Sequence, residues 1–215
     1  MRLVSVNVGL PRRFEVNGKE ILTGIFKEPV AGRVGVRAIN LDGDKQADLT
    51  VHGGPDKAVY AYPVEHYDYW RKELPDVELP WGVFGENFTV EGLGEGRLNI
   101  GQRLRIGTAA FAVTQPRLPC YKLAFRFGRP DMVKRFLRSR RTGFYLRVLR
   151  EGEVSAGDTI EPLGRDPGGI TVADITRLYA FEKDNRELMQ RAMAVAALPE
   201  SWRDYFAGRI TELGG

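Results

Sequence analysis

Cysteine is all but missing from this chain of 215 residues, where Cys120 stands alone. One thiol excludes an intrachain disulfide, a Cys-rich zinc site and a self-contained iron–sulfur cluster, each of which draws on further sulfur ligands. Histidine is nearly as scarce: His52 and His66 are too few imidazoles for an all-protein zinc site. Any redox chemistry must therefore borrow most of its apparatus from a bound group. Long apolar runs are lacking too, since nothing approaches the roughly 20 consecutive residues of a membrane helix. Residues Met1 to Val6 enter strand-like alternation directly, with no apolar leader and cleavage site. The chain is expected in the cytoplasm, away from membranes.

What is present suits a folded protein with a real core. Hydrophobic residues make up 43% of the chain and charged residues 28%. The net charge of +4 hides an uneven distribution. From Arg117 to Arg150, eleven Lys and Arg residues face a single acid, Asp131, so this segment carries +10 and the rest of the chain −6. Like charge so concentrated repels itself and attracts anions, which predicts an anionic partner near the segment. A solvated basic helix face accounts for the same run without any ligand.

The first two-thirds read as strands and turns. Val4, Val6 and Val8 alternate with Leu3, Ser5 and Asn7. Asn17-Gly18, between Phe14–Val16 and Lys19–Leu22, is a hairpin turn whose residues tolerate positive φ. Val34, Val36 and Ala38 lead into a turn at Asp42-Gly43-Asp44, and Gly107-Thr108 separates Leu104/Ile106 from Ala109/Phe111/Val113. Phe144, Leu146 and Val148 alternate up to a turn at Glu151-Gly152. Many short strands with Gly-rich turns favour a barrel or sandwich over a doubly wound sheet.

Two helices are expected to interrupt the strands. One opens at Pro63, with Tyr67, Trp70 and Leu74 on one face; the other opens at Pro130-Asp131, with Met132, Val133, Phe136 and Leu137 apolar and much of the basic cluster outward. After a linker at Asp166-Pro167-Gly168-Gly169, three capping-box pairs follow: Thr171/Asp174, Asp184/Glu187 and Ser201/Asp204. They announce three short amphipathic helices. The chain thus divides into a β-rich domain over 1–166 and a three-helix C-terminal unit over 167–215.

Three stretches can carry chemistry. In QPRLPCYKL (Gln115–Leu123), Pro116 and Pro119 stiffen the backbone around Arg117 and just before Cys120. A thiol shown from such a turn beside Arg117 and Lys122 is favoured as the thiolate, the form that binds metal; a lone cysteine serves equally as a small buried hydrophobe. In GDKQADLTVHGGPDKAVYAY (Gly43–Tyr62), Gly53-Gly54 permits close backbone approach to an anion, Lys57 adds charge and His52 a donor. A plain tight turn explains the same residues, and the order is not that of a P-loop. In GVFGENFTV (Gly82–Val90), Asn87 can bond a polar heterocycle, although asparagine after glycine is also ordinary turn chemistry.

In this order, and followed by TGFYLRV (Thr142–Val148) and Gly157-Asp158, these stretches resemble the MOSC domain, named for the C-terminal domain of molybdenum-cofactor sulfurases. The resemblance is strongest to its YiiM-type subgroup, covers about residues 25–165 and continues into a three-helix C-terminal region. It implies a mainly β (α+β) fold, with a barrel-like β domain and a few helices. It also implies a molybdenum–pterin cofactor of the molybdopterin type, with Cys120 as metal ligand and catalytic residue. A pocket for the pterin phosphate is implied as well, and Lys57, Asn87, Arg117, Arg147 and His52 are its candidate residues.

The chain lacks the cysteine-desulfurase domain of the sulfurases, so no pyridoxal phosphate site is expected. It also lacks the four-cysteine ferredoxin domain that some relatives append, so electrons must come from a separate flavin-containing reductase. The implied activity is a detoxifying reduction of small N-hydroxylated compounds such as base analogues. A non-catalytic carrier of the cofactor or its sulfur would use the same residues. A nucleic-acid-binding module on the basic helix near Lys134–Arg141 has charge in its favour but neither interleaved aromatics nor a recognition-helix motif. A homodimer is left open.

Overall fold

Short alternating runs become short strands joined by tight turns. The computed structural model of the chain describes residues 1–16, 18–47, 53–164 and 169–214. Asn17, His52 and most of the linker at Asp166–Gly169, all singled out above, lie outside the described residues. In chain order the elements are β1 (Arg2–Val8), β2 (Arg12–Val16), β3 (Lys19–Thr23), β4 (Glu28–Pro29), β5 (Val34–Val36), a 3-10 turn over Pro55–Lys57, β6 (Val59–Pro63) and α1 (Glu65–Glu73). There follow β7 (Phe88–Glu91), β8 (Arg103–Ile106), β9 (Ala109–Pro116), α2 (Tyr121–Phe127), α3 (Met132–Ser139), β10 (Phe144–Arg150), β11 (Gly152–Val154) and β12 (Ile160–Gly164). The C-terminal helices are α4 (Val172–Ala180), α5 (Arg186–Met193) and α6 (Glu200–Gly214).

Eight strands form one sheet in the order β12-β8-β9-β10-β6-β7-β1-β4. Its pairs are antiparallel except β6 with β7, between which α1 is the crossover that a parallel pair requires. The sheet curls until β1 meets the chain just ahead of β12. Leu3 N donates to Asp158 O at 2.9 Å, Gly157 N to Leu3 O at 2.7 Å and Ile160 N to Met1 O at 3.0 Å. These bonds pair backbone groups of β1 that would otherwise be left bare. The fold is mixed α+β, as expected.

Several local expectations give way to tertiary context. Strict alternation fails in β1, where a bulge between Leu3 and Ser5 switches the inward side, so that Leu3 and Val6 are fully buried and Val4 and Val8 are not. Pro63 ends β6 instead of opening α1, although Tyr67, Trp70 and Leu74 are buried as their spacing predicts. Helix α2, directly after Cys120, carries no capping signal and was not expected.

Among the C-terminal helices, Thr171 and Asp174 form the reciprocal capping box. The cap of α5 is Asn185, whose Oδ1 accepts from Leu188 N at 3.1 Å, and not the neighbouring Asp184. Ser201 lies inside α6 rather than capping it. Thr171→Ala is expected to lower stability by about 1 kcal/mol, measured as a shift of the urea midpoint.

The helices share one hydrophobic core with the sheet. Ile175, Leu178, Met189, Leu198 and Phe206 pack in the same cluster as Phe88, Phe111 and Leu146. Backbone bonds reinforce the join, with Val172 N donating to Leu98 O at 2.9 Å and Ile100 N to Ile170 O at 2.8 Å. A second cluster, built from Tyr62, Tyr67, Trp70, Phe84 and Phe136, lies under α1 and α3. Among the described residues no helix is long and apolar enough to cross a membrane.

Candidate functional site

Strand β9 delivers Gln115 and Pro116, and the Pro-fixed backbone then runs to an extended Cys120 (φ −126°, ψ 176°) before α2 begins. Arg117 turns to one side, into a cleft of about 610 Å³, and Leu118 and Pro119 line another of about 830 Å³, solvent at the mouths included. Cys120, Lys57 and Tyr145 line both clefts.

The first cleft is cationic: Lys27, Lys45, Lys57, Arg117 and Lys122 line it, with Asp44 the one carboxylate among its described residues. Arg117 is 6% exposed, with its guanidinium carbon 5.2 Å from the Tyr60 ring centroid and 5.3 Å from that of Phe136. Sheet pairing sets that wall, since Tyr145 of β10 stands opposite both Tyr60 of β6 and Gln115 of β9. Burial works against the Arg117 charge, which a guanidinium keeps regardless, and the Tyr60 and Phe136 ring faces lie against it. Burial pushes the Tyr60 and Tyr145 phenols up, opposed by that same guanidinium. Burial pulls the Lys57 ammonium below the usual lysine range, with Asp56 opposing.

The remaining candidates fall into different places. Asn87 lines the cleft, but its amide is used within the protein: Nδ2 donates to Asp44 Oδ2 at 2.9 Å and to Asn7 O at 3.3 Å, while Oδ1 accepts from Tyr60 N at 3.1 Å. It positions Asp44 and Tyr60 and has no donor to spare for a heterocycle. Arg147 lines neither cleft; it binds Asp56, through Nε at 2.7 Å and through Nη2, and so steadies the turn that carries Lys57. Thr114 Oγ1 donates to Asp56 O at 2.7 Å from the other side.

Most arginines of the +10 segment are engaged away from the cleft. Arg126 lies on Phe26, Arg140 on Phe181 and Arg141 on Tyr69, while Arg129 pairs with Asp131 and Arg135 with Glu73. From this segment Arg117 and Lys122 turn to the cleft, and its other cations, Lys27, Lys45 and Lys57, come from elsewhere in the chain.

Sequence reading also passed over Glu86, a fully buried carboxylate that accepts from Gly82 N at 2.8 Å, Phe84 N at 3.1 Å, Thr89 Oγ1 at 3.1 Å and the Tyr67 hydroxyl. Burial pushes this carboxyl up against the pull of those donors. A charged residue inside an otherwise apolar Gly-rich turn was the available signal.

The residues fit an anionic, metal-bearing organic group. Arg117 Nη1 is buried and has no hydrogen-bond partner among the described residues. Such an orphan costs about 1–3 kcal/mol unless something accepts from it. No group of three His, Cys, Asp or Glu side chains among the described residues could hold a metal ion alone. Cys120 can therefore serve as one ligand of a metal whose other donors arrive with the bound group.

Comparison with known proteins bears on the whole chain. The MOSC domain family matches residues 48–161, and the YiiM-like, 3-alpha helix domain matches residues 170–212. The uncharacterized protein YflK of Bacillus subtilis (strain 168) is 45% identical over 204 residues, 95% of this chain and 92% of its own. A protein named Reductase from Gibberella moniliformis is 34% identical over 179 residues, 82% of this chain and 32% of that longer one. The crystal structure of YiiM from Geobacillus stearothermophilus superposes with a TM-score of 0.82 at 36% identity, covering 97% of this chain and 98% of that one. The chain belongs to the MOSC family, whose domain is associated with the molybdenum cofactor, and carries the YiiM-like three-helix domain behind it.

Proposed function

We propose that this protein binds a molybdenum–pterin cofactor through Cys120 and reduces small N-hydroxylated compounds with electrons from a separate flavin-containing reductase. The observation that carries the reading is a thiol set at the lip of a cationic cleft whose buried Arg117 Nη1 lacks a partner among the described residues. The naming of one relative as a reductase agrees with it. Cys120 Sγ is the metal ligand, and Arg117, Lys57 and Lys122 hold the cofactor's anionic end. When bound, the cofactor supplies a metal that accepts an oxygen atom and exchanges two electrons.

The net change breaks one N–O bond: R–NH–OH takes up two electrons and two protons and leaves as R–NH2 and water. Lys57 faces both clefts, and its Nζ carries a proton that burial makes easier to release. Tyr60 and Phe136 cover the Arg117 guanidinium and keep water from competing for it. We place this chemistry in the cytoplasm, where a lone thiol stays reduced.

Metal and pterin analysis of protein purified from a molybdenum-replete host tests the reading. Near-stoichiometric molybdenum is expected; protein that holds none, and takes none up with its pterin, overturns it. Arg117→Gln is expected to keep the fold while weakening cofactor retention about tenfold, the loss of one charge-assisted bond. Steady-state turnover of hydroxylamine with an added flavin reductase supports an enzyme, and transfer that stops at one equivalent marks a carrier.

A further inference from the structure

We infer that the face around Tyr121 and Arg126, beside the first cleft, is the docking surface for the electron donor, and that it takes an acidic flavoprotein. This rests on the function proposed above. One cysteine allows no protein-bound cluster, so on that reading electrons arrive from a second protein that must come close to Cys120. Tyr121 follows Cys120 directly and is 58% exposed, and Leu10 is 59% exposed. Leu10 follows Gly9, whose carbonyl accepts from Lys45 N at 3.3 Å, so it stands next to a lysine that lines the first cleft. Single exposed apolar side chains are ordinary. Here the cations around them make the difference.

Lys122 and Arg126 stand one turn apart on α2, the spacing at which like charges repel. Strand β2 adds a third cation. It sets Phe14 against Phe125 of α2, ring centroids 5.1 Å apart, and Arg12 lies two residues away on the same face of the strand. Burial and the nearby Arg12 both work against the Arg126 charge, which a guanidinium keeps regardless. Phe26 lies 4.7 Å from that guanidinium and holds it without neutralising it. Arg126 Nε is buried and has no hydrogen-bond partner among the described residues. Glu28 pairs with Arg12 at 2.7 Å, but no ion pair among the described residues takes Lys45, Lys122 or Arg126. Cations gathered in this way repel one another, and an acidic surface laid over them offsets the repulsion.

Cations set beside exposed Tyr121 and Leu10 suit a protein better than a free anion. Tyrosine and arginine are enriched at protein interfaces, and complementary charge steers the encounter. A partner that covers Tyr121 reaches the residue joined by one peptide bond to the metal ligand. Across such a complex, one flavin hydroquinone and one R–NH–OH become oxidised flavin, R–NH2 and water.

The test drives hydroxylamine reduction by the molybdenum-loaded protein with two donors: reduced flavodoxin, an acidic flavoprotein, and reduced methyl viologen, which needs no docking surface. Arg126→Glu and Tyr121→Ala are each expected to lower kcat/KM for flavodoxin about tenfold. Turnover with the viologen should stay within about twofold, the molybdenum content should hold, and Arg126→Lys should stay near wild type. Raising salt from about 0.01 M to about 0.15 M shortens the screening length from about 30 Å to about 8 Å. That change should slow the wild type with flavodoxin and barely move Arg126→Glu. Equal losses with both donors, or none with flavodoxin, overturn the assignment. Tyr121 lies outside both hydrophobic clusters, so its variant tests the face even where Arg126→Glu fails to fold.

Labelled oxidised flavodoxin, titrated with the protein and followed by anisotropy, reads docking without turnover. Binding that both variants weaken about tenfold supports the surface even where neither donor drives reduction, an outcome that instead overturns the proposed function. Turnover with the viologen but no flavodoxin binding overturns the surface and leaves the function standing. A DNA duplex that binds as tightly as flavodoxin, and loses affinity in the same variants, also overturns the surface.

Discussion

Cys120→Ala protein is expected to fold like the wild type, to retain no molybdenum and to keep less than about one hundredth of the reductive activity, because even indirect support of a metal ligand is worth about 10–100-fold in affinity or activity. The side chain sits half-buried at the end of a Pro-fixed loop, outside both hydrophobic clusters, so its loss opens no large cavity. The sequence holds no second thiol to stand in for it. His66, the one imidazole among the described residues, is held by Glu95 at 2.8 Å, and no three-ligand group exists among those residues. Elemental analysis beside a thermal melt separates loss of the ligand from loss of the fold. A variant that melts normally and still carries molybdenum removes Cys120 from the ligand set.

The second large effect concerns stability. Lys27→Met is expected to cost about 3–5 kcal/mol, the usual penalty for stripping one member from a buried ion pair. Lys27 and Asp44 are 8% and 4% exposed and bond directly. Burial pulls the Lys27 ammonium below the usual lysine range, and Asp44 opposes that pull. Without Lys27, Asp44 keeps only neutral donors in the described residues, Gly9 N and Asn87 Nδ2, each at 2.9 Å. Lys27→Met combined with Asp44→Asn should recover most of the loss, because the double change leaves no charge stranded. Urea midpoints of the two single variants and the pair measure the coupling, and additive single losses would show that the pair is not the cause. Since Asn87 also binds Tyr60 N, the single variant should loosen the cationic cleft as well.

What the sequence could reveal about the site was local. Two prolines around Arg117 dictate a stiff loop wherever they occur, so the setting of Cys120 was legible, as was the Thr171/Asp174 box, whose partners lie three residues apart. Lys27 and Lys45 were not, because tertiary folding, not sequence proximity, carries them to a thiol some ninety and seventy-five residues further on. Arg147 had the right charge and motif, but Asp56, 91 residues earlier, takes its guanidinium. Asn87 was noticed for its amide, which the β1 and β6 neighbours Asn7 and Tyr60 use up together with Asp44. The basic segment misled for a related reason: aromatic faces and acids from other elements absorb most of its arginines, and only the finished fold shows which are left for a ligand.

The join between β1 and residues 157–160 has a consequence for how the protein is made. Leu3 bonds backbone groups of Gly157 and Asp158, so the strand synthesised early cannot complete its pairing until the ribosome has added some 150 further residues. At about 5–20 residues per second that edge waits on the order of 8–30 s. During the wait an unpaired strand edge is a template for the wrong neighbour, another nascent chain included. Folding of this protein should thus depend on translation speed and chaperone supply more than its final stability suggests, with β1 as the segment that needs protection.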